Sequence, residues 1–219
     1  MDHLLTITLL LTLVATCAQA AEHWFVRGGR AVNVETEGAD LQQTDGAVSL
    51  GGEGKMLWGA AVIGEGDATV FARLRIEGLH NSAASLVVGG AGHFGFEGGS
   101  GKMFVEGPHL GGETVMLGDP VVEEGVPFDL EARLRGGTIT FLIDGEQVHE
   151  QPFDGDALGL VGLRPHRATM FVESFMVDTD APVEQWRPLP HTAVFSSGMA
   201  GYHTYRIPAL IVSTEGTLL

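Results

Sequence analysis

From His23 to about Asp180 the apolar and polar positions alternate with the period of two expected of half-buried strands. Between Asp67 and Ile76, Ala68, Val70, Ala72, Leu74 and Ile76 share one face, and Thr69, Phe71, Arg73 and Arg75 share the other. Asp129–Arg135 repeats the pattern, with Leu130, Ala132 and Leu134 inward and Glu131, Arg133 and Arg135 outward. Thr138–Ile143 follows in phase through Ile139, Phe141 and Ile143 and ends on Asp144-Gly145, a hairpin turn. Further strands are predicted at Gly46–Leu50, Met56–Ile63, Ala84–Val88, Lys102–Val105, Thr114–Leu117, Leu158–Leu163 and Thr169–Val177. No helical period is sustained after the first residues, and the 32 glycines gather in the connections. The pattern predicts an all-β chain built as a two-sheet jelly-roll sandwich.

The first residues differ. An apolar run, Leu4–Ala15, leads to Ala18-Gln19-Ala20, which reads as a secretory signal peptide over 1–20, cleaved after Ala20. The run is too short for a membrane span, so a secreted or extracytoplasmic protein is expected. Cys17 is the single cysteine, so the chain after cleavage has no disulfide and relies on its core. A formal charge of −16 leaves no basic patch to displace counterions and argues against a nucleic-acid partner.

Chemistry-bearing motifs within 21–179 are weak. Gly90-Ala91-Gly92-His93-Phe94-Gly95 spells a dinucleotide fingerprint but no helix follows it, so it reads as a glycine-rich turn. Gly98-Gly99-Ser100-Gly101-Lys102 lacks the glycine spacing and the hydroxyl of a phosphate loop. Glu123 and Glu124 are adjacent and point apart in a strand, while Asp129 and Glu131 share a face continued by Arg133 and Arg135, a solvated surface. The nine histidines are scattered, and His93, His109 and His149 read as turn and surface residues; neither metal nor cofactor is expected. Trp24, Trp58, Phe94, Phe96 and Phe104 are either sugar-stacking platforms or core, and the domain either binds sugar or acts as a spacer.

Leu160-Val161-Gly162-Leu163-Arg164-Pro165, leading into a closing strand that ends at Asp178, resembles the end of a concanavalin-A-like lectin/glucanase (LamG-like) domain. Phe141–Glu146 is similar to a hairpin pair of such modules. After it, Thr179–Thr192 carries Pro182, Pro188 and Pro190 without alternation, and 180–192 reads as a semi-rigid linker.

The remainder, 193–219, resembles the opening of the sialidase (neuraminidase) family. Gly201, Tyr202, Tyr205, Arg206, Ile207, Pro208, Thr214, Gly216, Thr217, Leu218 and Leu219 match its Gly-Tyr-x-x-Tyr-Arg-Ile-Pro segment and following turn in order. The resemblance implies that Arg206 binds the carboxylate of sialic acid, a role suited to a planar guanidinium. It also implies a six-bladed β-propeller, of which 193–219 holds the first strands, and retaining exo-α-sialidase activity on sialylated glycans. The implied catalytic Asp, Glu and Tyr are expected beyond Leu219, so the sequence reads as a truncated fragment that is inactive alone. The alternative is a non-catalytic carbohydrate-binding or cell-surface adhesion module.

Overall fold

The computed structural model describes residues 20–38, 41–80, 82–119 and 122–188. The chain divides into two compact units, Met1–Arg187 and Pro188–Leu219, and the first holds every described strand. The expected signal peptide, apart from Ala20, and the expected propeller strands over 193–219 lie outside the described residues.

The strands run in chain order as β1 (Ala21–Arg27), β2 (Arg30–Ala31), β3 (Val34–Glu37), β4 (Gln42–Thr44), β5 (Ala47–Gly51) and β6 (Met56–Glu65). Then come β7 (Ala68–Glu77), β8 (Ala83–Val88), β9 (Gly92–Glu97), β10 (Lys102–Gly107), a short 3₁₀ turn at Pro108–Leu110, and β11 (Gly112–Met116). The chain continues through β12 (Phe128–Arg135), β13 (Thr138–Ile143), β14 (Glu146–Pro152), β15 (Ala157–Arg164), β16 (Thr169–Thr179) and β17 (Val183–Gln185). The predicted strands are present with ends shifted by at most two residues, and Asp144 and Gly145 take the positive φ angles, 50° and 81°, of the predicted hairpin turn.

Two antiparallel sheets make the sandwich. The nine-stranded sheet has the order β14-β13-β12-β7-β16-β1-β2, with β5 pairing the first half of β16 and β4 pairing β5. The eight-stranded sheet has the order β11-β10-β9-β8-β15-β6-β17, with β3 sharing the β6 edge. The alternation of β7 is fulfilled along its length: Ala68, Val70, Ala72, Leu74 and Ile76 are buried and the intervening residues are not. Aromatic rings lock the two sheets together. Phe94 of β9 stacks on Phe141 of β13 at 4.3 Å, and Phe96 meets Phe128 edge-on at 5.5 Å. Phe25 of β1 packs on Phe175 at 5.0 Å and reaches across to Gly59, where an added Cβ would lie 2.6 Å from its ring.

Beyond adding β2, β3, β4 and β14, the structure departs from the sequence reading in three further places. The glycine-rich turn expected around Gly92–Gly95 is a strand, β9, paired on both sides. Ala21–Arg27 forms β1 along β16, with Ala21 opposite Thr179. The expected linker over 180–192 opens with sheet: β17 pairs Val183, Glu184 and Gln185 with Ile63, Val62 and Ala61. The sandwich therefore extends past the expected boundary at Thr179. Because Phe141 is fully buried between the sheets, Phe141→Ala is expected to destabilise by about 3–5 kcal/mol. The check is the chemical-denaturation midpoint followed by circular dichroism, and a loss under about 1 kcal/mol would mean that the sheets are not held by this stack.

Candidate functional site

The inward pinning of alternate residues decides what the outer face of the eight-stranded sheet displays. On β9, Phe94 and Phe96 point in, so His93, Gly95 and Glu97 point out. On β10 the same rule turns Phe104 and Glu106 outward, and on β15 it turns out Gly162 and Arg164 beside the buried Leu163. On β6, Leu57 enters the core and Trp58 faces out. The register then aligns Glu35, Trp58, Gly162, Val87, His93 and Glu106 in one row across β3, β6, β15, β8, β9 and β10.

Polar groups converge on one part of this face. Ser85 Oγ and His93 Nδ1 are 3.0 Å apart, and Thr114 Oγ1 donates to Glu106 Oε2 at 2.8 Å. Arg164 lies 3.9 Å from Glu106, a loose ion pair, and its other guanidinium nitrogen lies 3.3 Å from His166 Nδ1. Burial holds the His93 imidazole below its usual range; Arg164 adds to the depression and Glu106 opposes it. The floor beside the cluster is smooth. An added Cβ at Gly95 would sit 2.2 Å from Ala84 O, and one at Gly162 would sit 2.5 Å from the Trp58 ring. Both glycines therefore let their neighbours lie flat, which is what a glycine inside a strand is for.

Trp58 forms an aromatic corner at the far end of the row. Its Nε1 donates to Glu37 Oε2 at 3.4 Å, and Trp186 meets it edge-on with ring centroids 6.1 Å apart. Trp186 is fixed by its backbone N–H, which donates to Ala60 O at 3.0 Å, one residue after β17.

The residues singled out from sequence separate clearly. Phe94 and Phe96 are core, not platforms, whereas Trp58 and Phe104 face outward although little exposed. Trp24 lies on the outer face of the other sheet, with Arg27 over its ring at 5.1 Å. Asp129 and Glu131 pair with Arg73 and Arg133 on the nine-stranded sheet and do not form a catalytic pair. His93 and His149 are strand residues and not turn residues; His109 sits in the 3₁₀ turn, stacked on Phe153 at 5.3 Å. Among the described residues no three His, Cys, Asp or Glu side chains come together to hold a metal ion, and no helix is long and apolar enough to cross a membrane. Arg206 lies outside the described residues. Sequence reasoning missed Arg164, Ser85 and Trp186, whose relation to His93 and Trp58 depends on pairing between distant strands.

No family model matches the chain, and a search of curated proteins returns no match. Solved structures do match. The exoplasmic/lumenal domain of VIP36 in its Ca²⁺- and mannose-bound form aligns with a TM-score of 0.56 at 9% identity, covering 71% of this chain and 88% of that one. The carbohydrate-binding module CBM66 from Bacillus subtilis aligns with a TM-score of 0.52 at 13% identity, covering 70% and 96%. A sialidase structure aligns with a TM-score of 0.51 at 10% identity, covering 77% of this chain but 18% of that chain. At these identities the likeness shows a shared fold and no more: the chain is an all-β jelly-roll sandwich.

The depressed His93 gives a pH prediction. The unfolded chain protonates this imidazole more readily than the folded one, so stability rises with pH between the folded value and the ordinary 6.5. On acidification below that ordinary value the folded state loses stability, and His93→Gln is expected to flatten this part of the decline. Denaturation midpoints for the two proteins between about pH 7.5 and about pH 5 make the comparison. Parallel curves would remove His93 as the source.

Proposed function

We propose that the sandwich is a secreted carbohydrate-binding module whose site is the outer face of the eight-stranded sheet. The observation that carries this reading is the meeting of half-buried His93, Glu106 and Arg164, with buried Ser85 at His93, on a floor smoothed by glycines, His93 and Glu106 standing in the same row as Trp58. A sugar ring presents hydroxyls that both donate and accept, and C–H faces that pack on aromatic rings. Arg164 offers donors only, Glu106 offers acceptors only, and His93, held by the buried Ser85, offers both. The fold shared with the mannose-bound VIP36 domain and with a carbohydrate-binding module supports the reading.

The signal-like opening supports an extracytoplasmic setting, where such modules meet glycans. A second reading adds that the module accompanies a sialidase domain. The order of Gly201, Tyr202, Tyr205, Arg206, Ile207 and Pro208 favours it, as does the sandwich shared with part of a sialidase. In that reading Arg206 clamps the sialic-acid carboxylate.

Two measurements test these readings. On an array of mannosyl, galactosyl, fructosyl and sialylated glycans the chain is expected to retain at least one class, and Arg164→Ala is expected to abolish that retention without lowering the melting temperature. Retention unchanged in Arg164→Ala would move the site elsewhere. For the second reading, Arg206→Lys in the longest form of the protein that hydrolyses a fluorogenic sialoside is expected to lower kcat/KM by roughly 2–5 kcal/mol of transition-state binding. Near-normal turnover would take Arg206 out of the site.

A further inference from the structure

We infer that His166 is a positioning residue for this site: as a neutral imidazole it accepts from Arg164 and holds the guanidinium off Glu106, leaving the other N–H groups of Arg164 to the ligand. The inference rests on the carbohydrate-binding reading above and deepens it to the control of its guanidinium.

The chemistry of the contact fixes the roles. A terminal nitrogen of Arg164 lies 3.3 Å from His166 Nδ1, long for a hydrogen bond but nearer than any carboxylate among the described residues. A guanidinium has donors and no acceptor, so Nδ1 carries the lone pair and the imidazole proton sits on Nε2. A protonated imidazole has no free lone pair on either nitrogen. Protonating His166 therefore ends the contact and sets two cations face to face.

On its other side Arg164 meets Glu106 Oε1 at 3.9 Å, while Thr114 Oγ1 donates to Glu106 Oε2. The Arg164 and Glu106 side chains are 30% and 31% exposed, so both are open to a ligand and to each other. Released from His166, the guanidinium has Glu106 Oε1 left to close on. A tight pair there would turn its donors away from a ligand.

The corner that carries His166 is built to hold it in place. Arg164 and His166 are two residues apart and share a face, with Pro165 buried between them. Pro165 also restricts Arg164 to extended conformations. His166 O accepts from the Ala83 N–H at 2.9 Å, which ties the corner to the start of β8. The next residue, Arg167, has a φ of 66°. Among the described residues only Asp144, in its hairpin turn, also combines a side chain with a positive φ. Such a backbone is costly and persists where the surroundings impose it. Here Arg167 Nε and Nη2 donate to the two Glu53 carboxylate oxygens at 3.0 and 3.3 Å.

The other charged groups facing this corner are already committed. Glu53 is held by Arg167, which keeps its carboxyl below the usual range. Glu97, beyond β8, accepts from the Gly99 and Ser100 N–H groups. His93 is bonded to Ser85, and burial, then Arg164, hold its imidazole below the usual range against the pull of Glu106. Of the two imidazoles beside Arg164, His166 is the one hydrogen-bonded to it.

The test is titration calorimetry of the full chain with mannobiose, lactose, levanbiose and 3′-sialyllactose at about pH 7.5 and about pH 5.5, with melting temperatures as the control. For whichever sugar binds, the parent is expected to lose about tenfold in affinity at the lower pH. His166→Leu removes the acceptor and is expected to weaken binding by about five- to tenfold at the higher pH, with the melting temperature unchanged. His166→Asn supplies a non-titrating amide oxygen near the place of Nδ1. It is expected to restore the parent's affinity and to abolish the loss on acidification. Equal parent affinity at the two pH values, a Leu variant that binds like the parent, or an Asn variant that keeps the acid loss overturns the positioning role and leaves the carbohydrate reading standing. A ring-nitrogen NMR spectrum that places the neutral proton on His166 Nδ1 overturns it with no sugar present. If no sugar binds and the glycan array is empty, the carbohydrate reading falls and the inference with it.

Discussion

The stack of Phe94 on Phe141 fixes the direction of every functional side chain on the sheet it braces. Successive residues of a strand point to opposite faces, so a ring held in the core commits both its neighbours to solvent. With Phe94 and Phe96 inward, His93 has no choice but to face out; with Leu163 inward, Gly162 and Arg164 do the same. A register slip of one residue would carry His93 into the core and Phe94 onto the surface, exchanging an apolar ring for an imidazole between the sheets. Close-packed interiors resist such exchanges because they lose both burial and shape fit. The core thus specifies the candidate site without contributing an atom to it.

How much of this was legible in the sequence depends on what each strand has on its outer face. β7 and β12 carry charged outer residues, so their alternation stood out and was read with the correct inward set. β6 reads Met-Leu-Trp-Gly-Ala-Ala-Val-Ile, apolar on both faces, and a continuous apolar run gives no phase by which to assign Trp58. In sequence β9 reads as a turn because its outward glycine mimics loop composition; the glycine serves a close backbone approach to Ala84 instead. In sequence Arg164 stands out only as part of a Gly-Leu-Arg-Pro corner. Its nearness to Glu106 and His166 comes from β15 pairing with β8 and β8 with β9, links that no local pattern carries.

The two outer faces also differ in how they use charge, which favours one of them as a site. On the nine-stranded sheet Arg73 bridges Asp129 and Glu173, Arg133 pairs with Glu131, and Arg75 lies 3.6 Å over the Phe171 ring. These cations are matched within hydrogen-bond or stacking distance, in exposed pairs that contribute at most about 1 kcal/mol each and keep that face solvated. On the eight-stranded sheet the nearest carboxylate to Arg164 among the described residues, that of Glu106, is 3.9 Å away, too long for a good hydrogen bond, and Gly95 and Gly162 leave the floor beside it without side chains. A guanidinium held this loosely, beside a floor kept low by Gly95 and Gly162, suits recognition better than solvation does. The chain's net charge of −16 then weighs on which ligand: an overall negative field favours one that carries no charge of its own.

The domain's end is set by edge pairing rather than by loss of alternation. Prolines around Pro182 suggest a linker on composition alone, yet proline is tolerated where a strand begins at a sheet edge and its missing N–H is not needed. Pro182 uses its carbonyl instead, accepting from Gly64, and an added Cβ at Gly64 would lie 3.0 Å from that oxygen. The crossing carries the chain from the end of β16, an interior strand of one sheet, to the edge of β6 in the other, closing one flank of the sandwich. The same residues bring Trp186 to Trp58. Closure of the fold and completion of the aromatic corner are therefore one structural event, and a sandwich ended at Thr179 would lack both.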